Sequence, residues 1–530
     1  MTTTEPSKTG PTFASLDPRD GTVLAEYPVA GPEEVALAVE RARAAARWWA
    51  NQGPRGRREW LLEYKRAISS RAEELASLIS AETGKPDEDA TLEVMLTVSH
   101  LEWAAKNADK VLRRRSVSAG LLMSNQAAYV EYQPYGVVGA IGPWNYPAFT
   151  PMGTLSYAMA AGNAVVFKPS ELTPGVGVWL AEVWDSLGAS QPLIQTITGD
   201  GSTGAALCRA GVDKLAFTGS AATGRKVMAA CAETLTPVVI EGGGKDALLV
   251  DSDADLDAAA DQAVFGAMGN AGQTCAGVER IYVHSDVHDA FVQKFTAKVR
   301  ALTPGNSISS SYGPMTLPAQ VDIVRRHVKD ALAKGGRAVL GGEDSVGEKI
   351  IEPVVLVDVP ENSSAITEET FGPTVVINPV ADLEEAIEKA NASSYGLGGS
   401  IFTGNKKRGL ALAEKLDVGM VSVNSFLAFA GIPALPFGGS GDSGFGRIHG
   451  ADGLREFARP KAITAQKFAA PLNLIRNRSI ETSCCPATNL PIGTRRWQRP
   501  RGSHPVPQPR REREGPAPRT GTSVPSAQAQ

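Results

Sequence analysis

From about residue 127 to residue 250 the chain repeats one unit: a short β-branched run ends in glycine or a polar residue, then a helical stretch leads to the next run. "GNAVVFKPS", "LIQTITG", "KLAFTGS" and "TPVVIEGGG" are the runs, and "MGTLSYAMAAG", "VGVWLAEVWDSLG" and "GRKVMAACAE" lie between them. Short, continuously apolar strands alternating with helices predict a parallel sheet covered on both faces, a doubly wound α/β fold. Ligands in such folds bind beyond the carboxyl ends of the strands, which here carry "KPSE", "TGS" and "EGGG".

A second alternating series starts near Gly244 and runs to about Val423. Ahead of both, three helical stretches are predicted: Pro32–Ala50, opening with proline and two glutamates, Arg58–Pro86, and about Ala90–Leu112. "AAYVEYQPYGVVGAIG", Ala127–Gly142, reads as strand. With 530 residues, roughly three domains are expected. The divisions are residues 1–243, 244–438 and a returning segment 439–470. The segment from Pro471 onward holds ten prolines, ten arginines, three glutamates and no lysine, and reads as a disordered extension. It is net +7, which leaves −11 on residues 1–470 of the overall −4. An acidic body speaks against nucleic-acid and anionic-membrane partners. No apolar run is long enough to span a bilayer, and "MTTTEPSKTG" has no secretory apolar region. The five scattered cysteines form no disulfide framework or metal-ligand spacing, which points to a reducing cytoplasm and no metal.

Cys208 and Cys231 lie in apolar helical runs, as core cysteines do, but Cys275 in "NAGQTCAGVER" has small and polar neighbours. That exposure suits a nucleophile, which needs a donor for the developing oxyanion and a base. Asn145 in "IGPWNYP" offers an uncharged amide from a stiff turn, and Glu241 in "VVIEGGGKD" offers a carboxylate beside three glycines. Each also has a plain structural reading, as a turn asparagine and a solvated strand-end acid. Gly199, Gly201 and Gly204 have the spacing of a dinucleotide turn, without the acidic residue expected about 20 positions on. "FTGSAATGRKVM" gives a second phosphate candidate through its backbone amides and Ser220, and Lys168 with Glu171 could grip vicinal ribose hydroxyls.

"GPWNYP", "FKPSE", "FTGS", "EGGGK", "GQTC", "EETFGP" and "PFGGSGDSGFGR" occur in that order, and over residues 15–468 the chain resembles the NAD(P)-dependent aldehyde dehydrogenase superfamily. The resemblance implies two α/β domains, for NAD and for catalysis, and an oligomerisation strand pair at about Ala127–Gln133 and Ala458–Phe468, in dimers or tetramers. It implies that Cys275 attacks the aldehyde, Asn145 and the Cys275 amide hold the oxyanion, and Glu241 activates water. It places Trp144, Lys168, Glu171, Gly219, Ser220, Glu369 and Phe371 on the cofactor. Glu171 would accept from a 2′-hydroxyl and repel a 2′-phosphate, so NAD is expected over NADP.

Two departures stand out: Gly242, where a leucine is usual and whose absence is expected to loosen the strand end, and a missing lysine after Gly438–Gly439. "GDSG", Gly441–Gly444, also mimics a serine-protease motif, but the strand-helix repeat is wrong for that fold. A non-catalytic nucleotide-binding relative and a coenzyme A-acylating enzyme would share these motifs, but the trio Cys275, Asn145 and Glu241 favours hydrolysis. By analogy "VNSFLAFAGIPALPFGG", with Phe426 and Phe429, borders the substrate entrance and has no basic residue. An uncharged aliphatic or aromatic aldehyde is therefore expected, with succinate semialdehyde as the second candidate.

Overall fold

The computed structural model describes residues 10–469, so the arginine- and proline-rich extension from Pro471 lies outside the described residues. Three sheets carry the architecture. The first holds, in spatial order, Gly444–Phe445, Val238–Glu241, Lys214–Thr218, Val137–Ile141, Ala164–Lys168 and Ile194–Thr196. All are parallel except Gly444–Phe445, which runs antiparallel beside Ile240 and Glu241. The second has seven strands in the order Arg337–Leu340, Val354–Val357, Thr374–Val380, Val278–His284, Asp246–Val250, Gly398–Phe402 and Met420–Val423. Only its edge strand Arg337–Leu340 is antiparallel to its neighbour. Their central strands are buried throughout, which explains runs such as Ala164–Lys168 with no polar alternation.

The third sheet pairs Gln126–Pro134 with Ala458–Gln466 on one side and Arg115–Val117 on the other, all antiparallel. Ala458–Gln466 is an edge strand, exposed along most of its length. The run read as one strand over Ala127–Gly142 is therefore two strands, in different sheets. Tyr135 and Gly136 separate them, and Gly136 has a φ of 127°, open mainly to glycine.

The amino-terminal helices number four rather than three. Pro32–Asn51 and Asp87–Leu112 lie close to their expected places, but the stretch expected as one helix splits into Gly53–Ser70 and Ala72–Thr83. Arg71 leaves helical geometry there (φ −120°, ψ 29°), and its guanidinium binds Glu74. A break without glycine or proline gives no sequence signal. Gly84, at φ 77°, ends Ala72–Thr83 as its position suggested. The first two helices bury Trp49 and Tyr64 against Trp184, with ring centroids 5.6 and 5.4 Å from it.

Ser443 of the protease-like "GDSG" is fully buried. Its hydroxyl donates to the Gly243 carbonyl at 2.7 Å and accepts from the Gly396 amide at 3.1 Å. It ties the returning segment to the loop after Val238–Glu241 and to the short strand Tyr395–Gly396. No helix of the described residues is long and apolar enough to cross a membrane.

Candidate active site

The carboxyl ends of the first sheet's strands face the start of Val278–His284, and Cys275 sits in the loop between. That loop descends from the helix Leu256–Met268 through a tight turn in which Asn270 and Ala271 take left-handed backbone angles (φ 52° and 55°). Gly272 must be glycine, because a Cβ there would run into the backbone of Gly372. The turn leaves the Cys275 side chain part-exposed, while Cys208 and Cys231 are buried in their helices.

Cys275 borders two cavities. One, of about 230 Å³, is lined by Leu92, Leu96, Phe149, Phe265, Phe426 and Phe437 among others, and Glu241 opens into it. The other, of about 150 Å³, is lined by Trp144, Asn145, Gly219, Ser220, Glu369 and Phe371. Of the site residues expected from the sequence, the structure thus gathers seven with Cys275 around these two spaces. Lys168 and Glu171 lie apart, at the end of the neighbouring strand, where the Lys168 ammonium reaches the Glu171 carboxylate at 3.3 Å and the Pro169 carbonyl at 2.9 Å. Phe429 is corrected: it turns inward onto Phe437, and Phe426 alone of the two lines the cavity.

Asn145 is held on both sides. Its side-chain amide donates to the Gln273 carbonyl at 2.9 Å, and its own carbonyl accepts from Lys85 at 2.7 Å and Asn270 at 3.2 Å. Glu241 is 4% exposed, and neither carboxyl oxygen has a hydrogen-bond partner. Burial pushes its pKa well above the carboxylate range; Arg447 opposes this and Glu456 adds to it. Burial likewise pushes the Cys275 thiol up to about 12, reinforced by Asp246, Glu241 and Glu369, with the Ala276 amide acting against it. The pKa-lowering partner that a cysteine nucleophile calls for is not supplied by any side chain in these linings: neither contains lysine or arginine.

Burial pushes Glu369 up to about 8 even though it accepts the Gly244 amide. Its loop is shaped by Glu279, whose carboxylate accepts the amides of Thr370 and Phe371 and pairs with the buried Lys245. Glu279 and Lys245 escaped the sequence reading; a charged pair 34 residues apart carries no motif. Trp144 and Phe371 meet edge to face at 5.5 Å.

The two phosphate candidates separate cleanly. Asp200 caps the helix Gly201–Arg209 by accepting from the Ser202 amide and hydroxyl, so the glycine-rich turn already carries a negative charge. Ser220 caps Ala221–Ala232 with a neutral hydroxyl, and no acidic residue stands in that helix's first turn.

A cavity with a neutral helix start, an aromatic pair and one carboxyl group, that of Glu369, fits a pyrophosphate-linked dinucleotide with an aromatic ring. Gly242 is also clarified. A Cβ there would lie 2.7 Å from the Asp442 carbonyl oxygen, and the Gly242 amide donates to Ser443. The returning backbone fills the place of the usual leucine side chain, so the strand end is braced rather than loosened.

The family profile described as "Aldehyde dehydrogenase family" matches residues 4–463. The chain is 39% identical over 451 residues to 4,4'-diapolycopene aldehyde oxidase of Methylomonas sp., covering 85% of each protein. It is 38% identical over 454 residues to a protein provisionally named succinate-semialdehyde dehydrogenase [NADP(+)] 2 of Mycobacterium ulcerans, covering 84% of this chain and 88% of that one. Among solved structures, PnpE in complex with nicotinamide adenine dinucleotide superposes with a TM-score of 0.82 at 32% identity, over 87% of this chain and 95% of that one. The chain belongs to the aldehyde dehydrogenase family, oxidoreductases that convert aldehydes using NAD or NADP.

Proposed function

We propose that this enzyme oxidises uncharged, largely apolar aldehydes to carboxylic acids through a thioester on Cys275, with NAD preferred. The observation that carries the substrate class is the lining of the 230 Å³ cavity: aromatic and aliphatic side chains with three acidic residues, Asp89, Glu93 and Glu241, no lysine or arginine, and one histidine, His449, whose pKa burial pushes well below the imidazole range. A second carboxylate on the substrate would find no cationic partner in that lining. The Methylomonas relative is named for 4,4'-diapolycopene aldehyde, which carries no second carboxylate in its name and agrees with a channel without lysine or arginine. The names of the mycobacterial relatives favour succinate semialdehyde as the second reading. kcat/KM for hexanal and benzaldehyde is expected to exceed that for succinate semialdehyde by about tenfold or more. A hundredfold preference for the semialdehyde would reverse the assignment.

In the mechanism, the Cys275 sulfur attacks the carbonyl carbon and its proton leaves the site. The negative charge formed on the aldehyde oxygen is received by the Asn145 amide and the Cys275 backbone N–H. Tethering the substrate makes the redox step effectively unimolecular. The nicotinamide, when bound, supplies the hydride acceptor. Ser220 and Gly219 would hold its pyrophosphate, Trp144, Glu369 and Phe371 its nicotinamide end, and Lys168 and Glu171 the adenosine ribose. Glu241, once ionised, takes a proton from water as the water attacks the thioester; the acid leaves and Cys275 is regenerated.

Glu171 sits on the exposed side of its pair with Lys168, placed to oppose a 2′-phosphate. Glu171→Ala is expected to raise kcat/KM with NADP+ relative to NAD+ by about tenfold, the size of one unfavourable charge contact; an unchanged ratio would remove Glu171 from that role. In the same reading, the exposed edge Ala458–Gln466 is the surface through which copies assemble as dimers or tetramers.

A further inference from the structure

The turn that carries Asn145 is gripped from both ends by one buried ion pair. Lys85 and Glu93 are 2.8 Å apart, and both side chains are wholly buried. The Lys85 ammonium donates to the Asn145 carbonyl at 2.7 Å and lies 4.2 Å from the centre of the Tyr146 ring. The other Glu93 oxygen accepts the amides of Ala148 and Phe149, at 2.8 and 3.1 Å, where the helix Phe149–Ala161 begins. Every residue from Asn145 to Phe149 except Pro147 is therefore touched by the pair. The Tyr146 hydroxyl then reaches the Thr274 hydroxyl at 2.9 Å, next to Cys275.

We infer that Lys85 and Glu93 are positioning residues for the oxyanion donor, fixing the Asn145 amide relative to the Cys275 sulfur. This rests on the proposed roles of Cys275 and Asn145. The physical ground is that two buried charges are costly to hold unless their bonds are used, and here each spends them on this turn. One N–H of the Asn145 amide is occupied by Gln273, so the direction of the other, toward the cavity shared with Cys275, follows the backbone that Lys85 holds. Oxyanion stabilisation depends on that direction to a fraction of an ångström.

The charge-neutral double variant Lys85→Met with Glu93→Gln keeps acceptors for Ala148 and Phe149 while deleting the ammonium on Asn145. Two rates are followed: aldehyde oxidation, and hydrolysis of p-nitrophenyl acetate, which uses Cys275, its oxyanion donors and the water step at Glu241 but no cofactor. Both are expected to fall about 10- to 100-fold. KM and the rate of Cys275 alkylation by iodoacetamide are expected to stay within about twofold, because neither depends on the oxyanion. On an Asn145→Ala background the same pair of substitutions should have almost no further effect. Wild-type ester hydrolysis, an equal loss on both backgrounds, or a parallel loss of alkylation would each overturn the inference. If the double variant does not fold, Asn270→Gly, which removes the second donor to the Asn145 carbonyl, is expected to give a smaller loss in the same two rates, and no loss would overturn it. Ester hydrolysis needs no aldehyde, so failure of the substrate assignment leaves this test intact.

Discussion

Exchange of Cys275 for serine or alanine is expected to lower aldehyde-dependent NADH formation by at least about 10³-fold, the scale of removing a nucleophile. The site gives a serine hydroxyl little help. Glu241 holds its proton well above the carboxylate range, the two cavity linings contain no lysine or arginine, and burial makes their one histidine, His449, a weak base. A thiol pushed up to about 12 is still far closer to ionisation than an alcohol. Stability should change little, because Cys275 lies at a cavity wall and not within a packed interior. NADH absorbance with saturating aldehyde is the measurement, and a wild-type rate in either variant would refute the thioester route.

Glu241→Gln is expected to slow steady-state turnover by about 10²- to 10⁴-fold while leaving a single burst of NADH, since only the water step uses the carboxylate. The pH dependence has a definite sign. Glu241 acts as a base only when ionised, so hydrolysis of the thioester rises as pH climbs through its elevated pKa and falls in acid. The glutamine variant loses that rise in the steady state. The burst is expected to keep its own rise toward high pH, because burial pushes the Cys275 thiol up to about 12.

The same carboxyl links to stability. Folding keeps it protonated above its usual 4.5, so its contribution is fully present below that pH and is lost as pH rises through the folded pKa. The variant should therefore resist alkaline unfolding better than the wild type. A steady-state rate with unchanged magnitude and pH slope would take Glu241 out of the mechanism.

The position of candidate site residues at strand ends was legible in the chain because the parallel repeat itself dictates where ligands bind. Glu241, Ser220 and Lys168 end or follow strands, and the structure leaves them there. Cys275 stood out by lacking an apolar context, and that is what keeps it part-exposed. The support of the site was not legible. Lys85 meets Asn145 across 60 residues, and Asn270 meets it across 125; these are contacts of folding, without a local pattern. Gly242 misled for a related reason: what occupies the space beside it is the backbone of Asp442 and Ser443, some two hundred residues on. The split at Arg71 and the inward turn of Phe429 are likewise choices made by tertiary packing, which propensity does not encode.

Cys275 stands in a partition, with Thr150, Thr218 and Gly242 beside it as the residues common to both chambers. Under the proposed assignment of the two chambers, aldehyde and dinucleotide come and go by separate doors, and the finished acid departs without unseating its neighbour. Such a wall has to be thin. Two threonines and a glycine keep it so, and a broad side chain among them would act as an insulator between the oxidised carbon and its electron sink.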